Sequence, residues 1–96
     1  MMVIITYDVE TASPAGQKRL RRVSKECQNY GVRVQNSVFE CVVDASQLLV
    51  LKNRLDSIID KEHDSVRFYF MGNNWERHVE TIGFDKGINV TSTIVI

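Results

Sequence analysis

The chain has 96 residues, of which 44% are hydrophobic and 25% are charged, and this is the composition of one globular domain. Twelve basic and twelve acidic residues give a formal net charge of zero, which excludes a uniformly basic or acidic protein. No apolar run approaches the roughly 18 residues of a membrane span. Two cysteines are too few for a disulfide scaffold, so Cys27 and Cys41 are expected to be buried thiols of a cytoplasmic protein.

The first predicted element is a strand at residues 2–9, because these residues are apolar and mostly β-branched. Such a run is typical of a central strand that is buried on both faces. Asp8 lies at its end, and burying an unpaired carboxylate is very costly. Asp8 is therefore expected at the rim of the sheet or beside a specific partner. It is either a ligand of a divalent cation such as Mg²⁺ or an acid that caps a loop or pairs with an arginine.

A helix is predicted to begin at Ser13, because serine is a favoured N-cap and Pro14 suits the first helical position. Gly31 stands where a C-cap glycine would end this helix. Apolar side chains recur at spacings of three and four and predict one buried stripe, which consists of Leu20, Val23, Cys27 and Tyr30.

Basic residues are concentrated in this helix and just after it. The set is Lys18, Arg19, Arg21, Arg22, Lys25 and Arg33, and Glu26 is the only acid among them. Most acidic residues come later in the chain, so the zero net charge conceals a basic segment. This segment predicts either a surface that binds the phosphates of a nucleic acid or a solvated helix face without a ligand.

Residues 33–43 are extended, but no single alternation of side chains fits the whole run. A break at Asn36 and Ser37 divides it into two predicted strands. Asp44 and Gln47 have the spacing of a capping box and predict the start of a second helix. The apolar stripe of this helix is Leu48, Leu51, Leu55 and Ile58, widened by Leu49 and Ile59.

Another strand is predicted at residues 65–71, followed by a turn at 72–74 and short strands at 78–83 and 91–96. Up to residue 71 the order is strand, helix, strand, strand, helix, strand. This order predicts an α+β, ferredoxin-like βαββαβ fold with an antiparallel sheet and both helices on one face. Residues 1–96 are interpreted as one domain. Residues 75–96 are expected to be a C-terminal dimerisation extension, whose last strand pairs with the sheet edge of a neighbouring subunit.

Other candidates for chemistry are weaker. His63 and His78 lack metal-ligand spacing with each other or with a cysteine, and both are expected to be exposed to solvent. Ser37 has no nearby histidine to activate it, so a serine nucleophile is not expected. The glycines form no phosphate-binding loop.

Three segments, in their order along the chain, resemble the CRISPR-associated Cas2 family. They are the strand that ends with Tyr7 and Asp8, the basic segment 18–23, and residues 30–40 with their run Arg-Val-Gln-Asn-Ser-Val-Phe-Glu. This run, followed by Cys41, is most similar to the members found with type I-C systems. The resemblance implies a ferredoxin-like homodimer in which the C-terminal strand of one subunit completes the other.

The resemblance also implies an endonuclease that depends on Mg²⁺, with Mn²⁺ as the alternative ion. Its substrate would be double-stranded DNA or, as in some members, single-stranded RNA. The family's metal ligand corresponds to Asp8, and its other catalytic positions correspond to Arg33, Ser37 and Phe39.

A second implied role is non-catalytic, with the dimer as a DNA-binding scaffold that bridges dimers of the Cas1 integrase during spacer acquisition. The two roles are compatible. A toxin-like ribonuclease of the same fold, outside CRISPR systems, is a more distant third hypothesis.

Overall fold

A computed structural model describes residues 1–71 and 79–84 of the chain as a five-stranded sheet with two helices. In chain order the elements are β1 (Met2–Asp8), α1 (Pro14–Gln28), β2 (Gly31–Gln35), β3 (Val38–Val42), α2 (Ala45–Ile58), β4 (Ser65–Met71) and β5 (Val79–Gly83). Neighbouring strands are antiparallel, and their order is β2-β3-β1-β4-β5, which puts β1 at the centre. This arrangement confirms the predicted α+β, ferredoxin-like fold.

Both helices begin where the sequence predicts, because their capping side chains satisfy free backbone N–H groups. The hydroxyl of Ser13 accepts a hydrogen bond of 3.0 Å from the N–H of Gly16 in the first turn of α1. Asp44 and Gln47 form a capping box, in which each side chain accepts from the other residue's backbone N–H at 2.8 and 2.9 Å.

The end of α1 differs from the prediction. The helix ends at Gln28 with Asn29 as its cap, so the assignment of Gly31 as the C-cap glycine is wrong. Gly31 instead begins β2, where a Cβ atom would collide with the backbone of β3. The small residue is therefore required by the close approach of two strands. The predicted break at Asn36 and Ser37 is confirmed as the turn that joins β2 to β3.

The two helices cover one face of the sheet, and the core lies between them. The fully buried apolar side chains of this core are Val3, Ile5, Val23, Cys27, Phe39, Cys41, Leu51, Leu55, Val66 and Phe68. We call the other side of the sheet the open face, because neither α1 nor α2 lies over it.

Two predictions of burial are wrong. Residues 2–9 were expected to be buried on both faces, but Met2 is 41% exposed, and Ile4 and Thr6 are partly exposed. Alternate residues of a strand point to opposite faces, and only one face is covered. Leu49 is 60% exposed, because it projects away from the side of α2 that packs on the core.

Asp64 is a fully buried carboxylate at the end of the sheet where β1 finishes. Its Oδ2 accepts a hydrogen bond from Nε of Arg19 at 2.7 Å and from the backbone N–H of Asp60 at 2.9 Å. Its Oδ1 accepts from the backbone N–H of Glu10 at 3.0 Å. One side chain thus joins α1, the loop after β1 and the loop before β4.

β5 confirms the short strand predicted near residue 80, and it pairs with β4 of the same chain. Lys52 of α2 forms an ion pair with Glu80 of β5 and lies 5.6 Å from the ring centre of Phe68. The predicted turn at 72–74 and the strand at 91–96 lie outside the described residues. The dimerisation role expected for residues 75–96 therefore stays a prediction.

The two cysteines are free and buried, as predicted. Burial raises the pKa of the Cys27 thiol to about 12 and that of Cys41 to about 11, so both stay protonated near neutral pH. Neither helix of the described part has the length and apolar character needed to cross a membrane.

We predict that Asp64→Asn lowers the free energy of unfolding by about 3 kcal/mol at neutral pH, because it leaves buried donors without their charged acceptor. Burial by itself would raise the pKa of Asp64, but the hydrogen bonds from Arg19, Asp60 and Glu10 together hold it below its ordinary value. The stabilisation should therefore be complete above the ordinary value of about 3.9 and should be lost as the pH falls through the lower folded-state pKa.

Urea unfolding at a series of pH values measures this effect. The difference in the free energy of unfolding between the wild type and Asp64→Asn should become smaller below about pH 4. Asp56→Asn is the matched control, because Asp56 forms only an exposed ion pair with Lys61 at 3.0 Å and should contribute about 1 kcal/mol or less. A difference that stays constant down to low pH would contradict the assignment of the stabilisation to the Asp64 carboxylate.

Candidate metal site and nucleic-acid surface

Asp8 lies at the end of the central strand, on the open face of the sheet, and its side chain is exposed. It pairs with Ser65 of β4 in the strand register. On the other side of β1, the backbone carbonyl of Ser37 accepts a hydrogen bond of 3.2 Å from the N–H of Tyr7. The expected position at the rim of the sheet is thus confirmed for Asp8, and Ser37 lies at the same end of the sheet.

Asp8 is part of the wall of a shallow depression of about 260 Å³. The depression is lined by Thr6, Tyr7, Asp8, Ser65, Arg67 and Tyr69. The lining residues carry one carboxylate, several hydroxyl groups and the guanidinium group of Arg67. Such a depression can accept a hard cation together with a phosphate group.

Arg67 was missed by the sequence analysis as a site residue. It pairs with Thr6 in the register of β1 and β4, so it is the diagonal neighbour of Asp8 on the open face. The alternation within residues 65–71 does separate Arg67 and Tyr69 from the buried Val66 and Phe68. Only the register between the strands brings the guanidinium group next to the strand that carries Asp8.

Arg33 and Phe39 lie on the helix-covered face, away from Asp8. Phe39 is fully buried and stacks on Tyr7, with ring centres 6.1 Å apart. The guanidinium carbon of Arg33 lies 5.4 Å from the centre of the Phe39 ring. Of the four residues expected to be catalytic, Arg33 and Phe39 therefore lie on the face opposite to Asp8, and Ser37 lies in the turn between β2 and β3. The buried ring of Phe39 packs against Tyr7 near the end of β1.

Four of the predicted basic residues form a continuous line along α1, which we call the basic stripe. It consists of Lys18, Arg21, Arg22 and Lys25, whose spacing puts them on one side of a helix. All four side chains are exposed, and within residues 1–71 and 79–84 no carboxylate lies at ion-pair distance from them. The stripe is a concentrated positive surface on the helix layer.

Arg19 does not belong to this stripe, although it lies in the same helix. Its guanidinium group is held by the buried Asp64 at 2.7 Å, and this hydrogen bond raises the pKa of Arg19 above its ordinary value. The charge of Arg19 is thus used inside the protein. No local pattern indicates this pairing, because the two residues are 45 positions apart.

His63 is exposed, as predicted, but it has two acidic neighbours that spacing alone did not suggest. Asp60, Glu62 and His63 place their ligand atoms within 4.8 Å of one another. Oδ2 of Asp60 lies 3.0 Å from Nδ1 of His63, and this contact raises the pKa of His63 and lowers that of Asp60. Oδ1 of Asp60 accepts from the N–H of Glu62, so the group also orders the turn before β4. His78 lies outside the described residues.

Comparison with known proteins gives a consistent result. The sequence model of a family described as "CRISPR associated protein Cas2" matches residues 1–79. A "CRISPR-associated endonuclease Cas2" of Halalkalibacterium halodurans is 56% identical over 95 residues, which cover 99% of each chain. A "CRISPR-associated endoribonuclease Cas2" of Chlorobaculum tepidum is 49% identical over the full length of both chains. The crystal structure of Streptococcus pyogenes Cas2 at pH 6.5 superposes with a TM-score of 0.72 and 59% identity, and the match covers 78% of this chain and 90% of that one.

We predict that Asp60→Asn lowers the pKa of His63 towards the ordinary value of about 6.5, because the variant removes the carboxylate that favours the imidazolium form. In the wild type this pairing should stabilise the fold below the ordinary pKa and should weaken as the pH rises through the higher folded-state value.

The ring-proton chemical shift of His63, followed by NMR across a pH series, measures this pKa directly. Asp56→Asn removes a carboxylate of the same charge that pairs with Lys61 and serves as the control. If Asp60→Asn and Asp56→Asn change the titration of His63 equally, the specific contact with Asp60 is not its cause.

Proposed function

The chain belongs to the CRISPR-associated protein Cas2 family, and on that premise we propose that it is a metal-dependent endonuclease of CRISPR-based antiviral defence. The observation that carries this proposal is the position of Asp8, an exposed carboxylate that shares one depression with Arg67. Mg²⁺ is the proposed cofactor, with Mn²⁺ as the alternative. The names of the relatives, endonuclease and endoribonuclease, support cleavage of phosphodiester bonds.

The chemistry of the depression fits a hard cation. Mg²⁺ prefers carboxylate oxygen and keeps several of its waters, and Asp8 offers an exposed carboxylate beside the hydroxyl groups of Thr6 and Ser65. When bound there, Mg²⁺ would polarise a phosphate oxygen and lower the pKa of a bound water. The role proposed for Asp8 is to hold the ion, and that for Arg67 is to orient the phosphate through charge-assisted hydrogen bonds.

One carboxylate in each chain is a small ligand set, and a second copy of the chain would double it. We propose a homodimer that brings the two open faces together around a two-fold axis. Exposed apolar side chains on this face support the proposal, since Met2, Val42 and Met71 are each more than 40% exposed in the single chain. Two Asp8 carboxylates brought close together would repel each other, and a cation between them would relieve that repulsion.

Double-stranded DNA is the substrate that we propose, with single-stranded RNA as the alternative. The name of the H. halodurans relative does not restrict its substrate, whereas that of the C. tepidum relative specifies RNA. A regular duplex presents its phosphates at fixed intervals, which suits a row of four cations along one side of a helix.

A second proposed function is non-catalytic, and the separation of the charges supports it. The basic stripe lies on the helix layer, whereas Asp8 lies on the open face of the sheet. DNA bound along the stripe of one chain is therefore not presented to Asp8 of that chain. We propose that the stripe holds DNA for the Cas1 integrase during spacer acquisition in the cytoplasm, and that this scaffold role coexists with the nuclease.

We predict that Asp8→Asn lowers the rate of Mg²⁺-dependent cleavage by at least about 100-fold, because even residues that only support a metal ligand contribute about 10–100-fold. The assay compares linear duplex DNA and single-stranded RNA, each with Mg²⁺ and with a chelator. Asp56→Asn is the matched control and should cleave at the wild-type rate. Equal cleavage by the wild type and Asp8→Asn would contradict Asp8 as the metal ligand.

We predict that the double variant Arg21→Glu with Arg22→Glu weakens binding of duplex DNA. The plot of log K against log salt should also become less steep, with the magnitude of its negative slope reduced by about 2, because each lost phosphate contact removes about 0.9. Fluorescence anisotropy of a labelled duplex over a salt series gives both quantities. Lys61→Glu, an exposed charge reversal away from the stripe, is the control. Unchanged binding in the double variant would contradict the proposed DNA surface. Survival of spacer acquisition in cells carrying it would contradict the scaffold role.

A further inference from the structure

Ser24 is one of two buried polar side chains in the part of the chain that the structure describes, and Asp64 is the other. Ser24 lies in the second half of α1 and is 9% exposed. A serine inside a helix is usually solvated or bonded to its own backbone. The hydroxyl of Ser24 instead contacts a side chain of β2 and one of its own helix, so its position needs another explanation.

The hydroxyl group of Ser24 accepts a hydrogen bond from Nη2 of Arg33 in β2 and one of 3.3 Å from Nε2 of Gln28. A hydroxyl group has two acceptor sites, and these two hydrogen bonds occupy both of them. Ser24 thus connects the edge strand β2 with α1.

Arg33 depends on this contact for a fixed position. It lies in β2, an edge strand whose residues after Gly31 are exposed. A long side chain at such an edge would sample many rotamers, and holding it in one of them costs conformational entropy. The ring of Phe39 lies beneath the guanidinium group and the hydroxyl of Ser24 lies beside it. One N–H of Arg33 is used by Ser24, and a guanidinium group has four more donors.

The position of Ser24 on α1 determines where Arg33 is held. Ser24 lies three residues after Arg21 and directly before Lys25, both of which belong to the basic stripe. Residues three apart are neighbours on a helix surface. The guanidinium group of Arg33 is therefore held against the flank of α1 that carries Arg21, and it extends the positive surface from the helix onto the edge of the sheet.

We propose that Ser24 is a positioning residue for nucleic-acid binding, which fixes Arg33 as an additional phosphate contact beside the basic stripe. The inference rests on the proposed nucleic-acid surface and deepens it. The ligand is the sugar-phosphate backbone of a duplex. Ser24 itself does not touch the ligand, and its contribution is to remove the entropy cost of ordering Arg33.

The test is a double-mutant cycle of Ser24→Ala and Arg33→Ala, with the affinity for labelled duplex DNA measured by fluorescence anisotropy over a salt series. Arg33→Ala should weaken binding and reduce the magnitude of the negative slope of log K against log salt by about 1. Ser24→Ala alone should weaken binding roughly three- to tenfold, because Arg33 must then be immobilised on binding. In the Arg33→Ala background, Ser24→Ala should have no further effect.

Controls separate positioning from a general effect on the fold. Alanine is the best helix former, so Ser24→Ala should fold, and its urea unfolding is measured alongside. Ser57→Ala removes another helical serine hydroxyl, whose bond goes only to the carbonyl of Arg54, and should leave binding unchanged. Ser24→Thr keeps the hydroxyl and should restore binding. If Ser24→Ala does not fold, Ser24→Cys replaces it in the cycle.

Each result decides the inference. If Ser24→Ala lowers the affinity for DNA equally in the presence and in the absence of Arg33, the inference is overturned, because Ser24 would then act through something other than Arg33. Wild-type affinity in both Ser24→Ala and Arg33→Ala would also overturn it, while the Arg21 and Arg22 double reversal would still test the basic stripe separately. If that reversal also leaves binding unchanged, the proposed nucleic-acid surface itself fails.

Discussion

The buried carboxylate of Asp64 is the constraint on which the geometry of the candidate site depends. A carboxylate is stable in the interior only when charged and polar donors surround it, and Asp64 obtains them from Arg19 and from two backbone N–H groups. These donors lie in α1, in the loop after β1 and in the loop before β4. The interaction therefore fixes three chain segments at the end of the sheet where Asp8 emerges, and the candidate metal ligand is presented from a rigid rim.

Because both helices cover the same side of the sheet, the two sides differ in chemistry. The helix layer carries the basic stripe and, at the edge of the sheet, Arg33. The open face carries Asp8, Arg67 and several exposed apolar side chains. The proposed DNA surface and the proposed cation site thus lie on opposite sides of the sheet. DNA held along the basic stripe would leave Asp8 and Arg67 accessible, so the two proposed roles do not compete for one surface.

Asp64 and Ser24 are the two buried polar side chains of the described residues, and each of them holds an arginine. Asp64 binds Arg19 in the interior of the fold, whereas Ser24 holds Arg33 on the exposed edge strand β2. The location of a basic residue in the sequence is thus a poor guide to its availability. The partner that each guanidinium group finds in the fold decides whether its charge stabilises the protein or is offered to a ligand.

Local sequence patterns were sufficient for the elements of this protein and for one site residue. Capping side chains at Ser13 and Asp44, the break at Asn36 and Ser37, and the helical periodicities predicted the order of the fold, since these signals depend only on neighbours in the chain. The acid at the end of the first strand was predicted at the rim by the cost of burying its charge. Only the tertiary structure decided that β1 is covered on one face, that Arg67 lies diagonal to Asp8, that Phe39 is buried and that Arg19 pairs with Asp64. Each of these depends on strand register or on contacts between distant segments, which the periodicity of a single segment does not encode.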